Sequence, residues 1–172
     1  MKRFILILIF LILVFNIRAQ KNEENSFENR PENNVYVNLL GDASIISINY
    51  ERLFIMSSNF FLTAKLGLGY NEEEQWCIFG SCDPPEKYLT IPHHVSGNYG
   101  KGRHFFEFGV GGTIINGETS QSYLAYPFAG YRLQPFVSNK FIFRAFACIP
   151  FTGLDTEDIL FVPFGLCFGI SF

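Results

Sequence analysis

From Asn34 onward the apolar residues recur at every second position, the period of a β-strand. The pattern is clearest over 160–172. Leu160, Val162, Phe164, Leu166, Phe168, Ile170 and Phe172 share one face, and Phe161, Pro163, Gly165, Cys167, Gly169 and Ser171 share the other. The same alternation runs through 60–70, 106–114, 46–50 and 141–149, and less cleanly through 35–39 and 89–95. Residues 122–134 fit only if Tyr126 and Phe128 lie on the face of Gly130 and Arg132. The pattern predicts eight strands, at about 34–40, 44–54, 60–71, 88–96, 103–116, 122–134, 140–150 and 159–172. No helical apolar stripe follows residue 20. The separators carry turn residues, such as Gly41-Asp42, Asn116-Gly117, Ser138-Asn139 and Thr152-Gly153.

Alternation does not say which face is the inside, but the residues on the two faces do. One face is bulky and aromatic, in a chain with 21 Phe. The other is rich in glycine and carries isolated charges: Glu51, Lys65, Glu107, Arg132 and Arg144. A barrel in water puts its large apolar residues inward and covers its outer face with Lys and Glu. These strands nearly lack such an outer face. Lipid outside and a narrow polar core inside fit better. The five charges are then expected inside, where they must pair, with Lys65, Glu107 and Arg144 forming a network. Glycines at 67, 69, 109, 111, 165 and 169 would make room for the long charged side chains.

The chain starts Met1-Lys2-Arg3, runs apolar for about 12 residues, and reaches Ala19 before a polar stretch. A bilayer-spanning helix needs roughly 20 apolar residues, so residues 1–19 read as a secretory signal peptide. Its removal takes Lys2, Arg3 and Arg18 and moves the formal charge from -3 to -6. With that balance and no Lys/Arg patch, nucleic acid is not an expected partner. Residues 20–33 read as a flexible polar leader, and 34–172 as the barrel.

These strands, and an apolar final strand closing on Phe168-Gly169-Ile170-Ser171-Phe172, resemble the eight-stranded outer-membrane β-barrels of Gram-negative bacteria, the OmpA transmembrane-domain type. The resemblance covers about residues 34–172. It implies an all-β, eight-stranded, antiparallel up-and-down transmembrane barrel, monomeric, in the cell outer membrane. Its partners would be outer-membrane lipids and lipopolysaccharide, and Phe172 would present an assembly signal to the barrel-assembly machinery. The longest connection, 72–87, then lies outside, with 41–43, 117–121 and 151–158, while 55–59, 97–102 and 135–139 face the periplasm. Tyr50, Phe54, Phe60, Tyr70, Tyr88 and Tyr131 would supply aromatic girdles.

Few residues suggest chemistry. Cys77 and Cys82, in the longest loop, are expected to form a disulfide in an exported protein. Cys148 and Cys167 read as small buried thiols. No metal or cofactor motif is present. The sharper candidate is His94, Ser96 and Glu107, whose spacing is similar to that of outer-membrane lipid A deacylases and could in principle activate a hydroxyl. With a turn at 97–102, however, Glu107 falls opposite residue 92, roughly 13 Å along the strand from Ser96. A non-enzymatic barrel with a plugged core is therefore the expected function. A lipid A deacylase-like enzyme and a secreted lipocalin-like binder are the alternatives.

Overall fold

A computed structural model describes residues 30–72, 86–117, 122–136, 140–151 and 160–172. Among them are eight strands: β1 (Asn33–Leu39), β2 (Ile46–Ile55), β3 (Phe60–Glu72), β4 (Lys87–Lys101), β5 (His104–Asn116), β6 (Tyr123–Leu133), β7 (Phe141–Cys148) and β8 (Phe164–Ser171). Each pairs antiparallel with its sequence neighbours, and β8 pairs with β1 to close the sheet. The described residues are thus an all-β, eight-stranded, antiparallel closed barrel. The proposed signal peptide, most of the leader, and Cys77 and Cys82 lie outside the described residues.

Closure fixes the width. The partners run from Asn33 through Arg52, Ala64, Val95, Val110 and Pro127. Carried on at the β6–β7, β7–β8 and β8–β1 registers, the path returns to β1 at position 43, ten residues beyond its start. For eight strands this stagger gives a tilt of about 40° and a radius of about 8 Å. Such a lumen holds side chains and little else.

The polarity is inverted relative to a barrel in water. Glu51, Glu107, Arg132 and Arg144 are 0% exposed, whereas Ile48 is 64% and Leu66 60% exposed. Phe106, Phe108, Val110, Phe164, Phe168 and Ile170 continue the apolar outer wall. In β6, Leu124, Tyr126 and Phe128 point inward with Arg132. Tyr88 also points inward and is buried, so it does not belong to an outer girdle. It shares the parity of Thr90, His94 and Ser96 on β4.

Two strand limits differ from expectation for physical reasons. β4 continues five residues past 96 and turns through Gly102 and Arg103, with Lys101 opposite His104. Gly102 has a φ of 65° and so permits the tight reversal. β8 begins at Phe164 rather than 159, just after Pro163, which has no N–H to give a ladder. Within β4 the pairing with β3 lapses between Leu66–His93 and Gly69–Thr90, at the level of Pro92, for the same reason.

The inner glycines do a different job from the one expected. A Cβ at Gly169 would strike Tyr36, at Gly111 Tyr126, at Gly165 Phe146, and at Gly67 Asn49. They make room for inward aromatic rings and amides lying across the sheet, not for the arginines.

Candidate functional site: the filled lumen

The β6–β7 register sets Arg132 directly opposite Arg144. Two like charges side by side are destabilising unless anions separate them. Glu51 from β2 and Glu107 from β5 do so. Arg144 grips Glu107 with two bonds, Nε to Oε2 at 2.8 Å and Nη2 to Oε1 at 2.9 Å. Arg132 donates through Nη1 to Glu51 Oε1 at 3.2 Å and through Nη2 to Oε2. Arg132 also reaches Glu107 at 3.5 Å, and Arg144 approaches Glu51 at 3.6 Å. Each guanidinium therefore meets both carboxylates.

Neutral groups take up the remaining valences. Asn34 Nδ2 donates to Glu51 Oε2 at 2.8 Å, Arg144 donates to the Tyr36 hydroxyl, and Gln134 Oε1 accepts from Arg132 Nε at 3.0 Å. Satisfying the whole set is what makes buried charge tolerable.

Lys65 lies outside this cluster. Its Nζ bonds Asp42 Oδ2 at 2.6 Å, and both side chains are buried. The alternation groups Lys65 with Glu107 and Arg144, and the structure pairs it with Asp42 instead. Asp42 comes from the β1–β2 turn, which folds into the barrel instead of standing in solvent. Leu40, Gly41, Asp42 and Ala43 all have left-handed φ angles, 61°, 65°, 40° and 55°. For the three non-glycine residues this conformation costs about 1–2 kcal/mol each. The compensation is inside: Thr113 donates to the Asp42 carbonyl, Asn71 to that of Ala43, and Ser44 shares a 2.7 Å hydrogen bond with Thr90.

The opposite end is also closed. Phe61 and Phe105 meet edge to face at 4.8 Å, with Leu53 beside them. The Arg30 guanidinium lies 4.9 Å from the Phe105 ring and 4.5 Å from that of Phe136, and bonds the Gly102 carbonyl. Turn, ion network and aromatic cluster thus block the lumen at three levels. No steady conductance is expected in planar bilayers. A large sustained conductance would show that one of these levels is open.

The register brings His94, Ser96 and Glu107 closer than expected. Because β4 extends to Lys101, Asn98 rather than residue 92 faces Glu107. Ser96 Oγ donates to Glu107 Oε1 at 2.8 Å, which corrects the predicted 13 Å separation. Yet the arrangement is wrong for a nucleophile. Acyl transfer needs the histidine on the serine. Here the serine proton points at a carboxylate already engaged by two arginines, while His94 stands 3.5 Å from Glu51 and 4.7 Å from the Phe128 ring. All three residues are buried.

Glu51, His94 and Glu107 could also offer a metal ion three ligand atoms within 4.8 Å of one another. Arg132 and Arg144 already neutralise both carboxylates, so a cation would have to displace a guanidinium.

Cys148 and Cys167 are buried free thiols, and Cys167 donates to Asn38 Oδ1 at 3.1 Å. Phe172 and Asn33 exchange backbone bonds at 3.2 and 2.9 Å, and the Phe172 side chain is exposed. Comparison with protein-family models, curated proteins and solved structures gives no significant match to this chain.

Proposed function

We infer that this chain is an integral outer-membrane β-barrel protein with a closed polar core and a non-enzymatic structural or surface-interaction role. One observation carries the reading: the charged residues are inside and the large apolar residues are outside, all round a closed sheet. In water such a wall would expose a continuous apolar surface far beyond what single-chain proteins tolerate. In a bilayer it is the required surface, and closure leaves no strand edge unpaired.

The barrel by itself also suits a secreted ligand binder. Against that stands a lumen occupied by Arg132, Arg144, Tyr36 and Tyr126, with no wide apolar cavity among the described residues. A lipid-modifying enzyme has less support, since the candidate serine is sealed inside.

The test is gel mobility of protein from an outer-membrane fraction, in mild detergent, with and without boiling. The expected result is two mobilities, because a fully paired sheet resists detergent unfolding. A single mobility, with the protein in the aqueous fraction, would overturn the membrane assignment.

A further inference from the structure

The two ends of the barrel differ in charge. At the end with the 72–87 connection, the described residues of that connection carry two acids, Glu72 and Glu86, and one base, Lys87. The opposite end carries Arg30, Arg52, Lys101, Arg103 and Lys140, and among its described residues one acid, Glu32. Two of these bases are visibly engaged. Arg52 pairs with Glu32 at 2.6 Å, and Arg30 is held over Phe105 and Phe136. Lys101 and Arg103 sit together at the β4–β5 turn, and Lys101 is exposed. Arg103 Nε is shut off from solvent without a hydrogen-bond partner among the described residues. Buried donors rarely stay unpaired.

Beside this turn the outer wall has a groove of about 220 Å³ between β5 and β6, lined by His104, Phe105, Phe106, Gly130 and Tyr131. Its floor and sides are mainly apolar. Its end at the turn is polar: His104 Nδ1 and the Tyr131 hydroxyl are 2.6 Å apart. Lys101 is the ladder partner of His104. An apolar groove on the wall, with a polar pair at one end and Lys101 and Arg103 either side of Gly102 next to that end in the fold, has the order of parts of a phospholipid: acyl chain, ester region, phosphodiester.

We propose that the β4–β5–β6 rim is a binding site for one anionic phospholipid of the periplasmic leaflet. The headgroup phosphate sits on Lys101 and Arg103, the ester region meets His104 and Tyr131, and an acyl chain lies along Phe106. Two cations with no salt bridge among the described residues select a lipid of net negative charge over a zwitterionic one with the same chains. The proposal rests on the membrane reading above and deepens it, by naming the lipid class and its place.

The experiment is native mass spectrometry of the detergent-solubilised full chain with equimolar phosphatidylglycerol and phosphatidylethanolamine of matched acyl chains. The expected result is retention of phosphatidylglycerol with an enrichment on the order of tenfold, the scale set by two basic residues near an anionic headgroup. The Lys101→Gln/Arg103→Gln double variant is expected to bring the ratio close to one. Lys101 is the last residue of β4 and Arg103 lies in the turn after it, at the end of the barrel, so the variant should keep the boiling-dependent mobility shift, which serves as its folding control.

Equal retention of the two lipids by the parent protein overturns the proposal. So does an undiminished ratio in the double variant, or full displacement of the lipid by millimolar inorganic phosphate, which would mark a simple anion site. Pelleting with peptidoglycan sacculi through Lys101 and Arg103, without lipid preference, would assign the rim to the cell wall and also overturn it. If the membrane reading itself fails, there is no mobility shift and neither lipid is retained. If only this proposal fails, the shift persists and the two lipids are retained alike.

Discussion

Replacing Arg144 by methionine is expected to lower the unfolding free energy by about 3–5 kcal/mol, the usual cost of stranding one partner of a buried ion pair. Arg144 gives Glu107 its two shortest charged contacts, at 2.8 and 2.9 Å. Without it, Glu107 keeps Arg132 at 3.5 Å and the Ser96 hydroxyl at 2.8 Å. Glu51 would also lose the cation that approaches it at 3.6 Å. Urea unfolding in lipid vesicles, followed by the unboiled gel band, measures the change.

The partner experiment is Glu107→Gln in the Arg144→Met background. Removing the stranded charge should recover much of the loss, because most of the cost is desolvation of an unpaired carboxylate. A double-mutant cycle isolates that coupling. A loss of less than about 1 kcal/mol for Arg144→Met, typical of an exposed pair, would mean that water reaches the network and the lumen is not dry.

The second large effect is on the outside. Leu66 is 60% exposed, in the middle of β3 and flanked on the same face by Ala64 and Leu68. In a bilayer, Leu66→Arg is expected to cost about 2–4 kcal/mol, falling toward zero at positions nearer the strand ends. On a water-facing wall the same change should stay within about 0.5 kcal/mol. The two readings of the barrel therefore differ in the size of one number. Unfolding titrations of Leu66→Arg, with Tyr70→Arg near the strand end for comparison, give the depth profile that decides between them.

Strand positions and inside-out polarity were legible because both follow from parity, while closure was implied by the resemblance to eight-stranded barrels. Once Lys65, Glu107 and Arg144 share a face with glycines, every neighbour in the strand is assigned. The β1–β2 turn was not legible. Gly41-Asp42 reads as a solvent turn, and nothing local says that four residues adopt left-handed angles and fold inward. A balance argument could have found Asp42. Five strand charges, three positive and two negative, leave one cation unmatched in a closed lumen. The missing anion had to come from a connection.

The register of β4 on β5 is hidden in the sequence because His94 to Gly100 contains two glycines and an asparagine, a composition that suggests a loop. In this barrel those small residues sit beneath or beside large neighbours, as Gly97 does under Phe108. Moving the turn to Gly102 moves every pairing with it. That shift converted a remote Ser96–Glu107 pair into a direct hydrogen bond. The aromatic plug of Phe61 and Phe105 and the seat of Arg30 depend on contacts between distant strands, which a single alternation pattern does not encode.

The seam between β1 and β8 bears on the order in which the molecule can assemble. Its pairs, such as Asn34 with Ser171, join positions more than a hundred residues apart, while every other strand pair can zip up from a neighbouring turn. The entropy of bringing the first and last strands together must therefore be spent before most of the ladder's closing bonds return anything. Until then β1 and β8 each present a bare edge, and an unpaired edge is a template for another chain. A sheet of this design folds slowly for topological reasons, and its most hazardous moment comes just before the ring shuts.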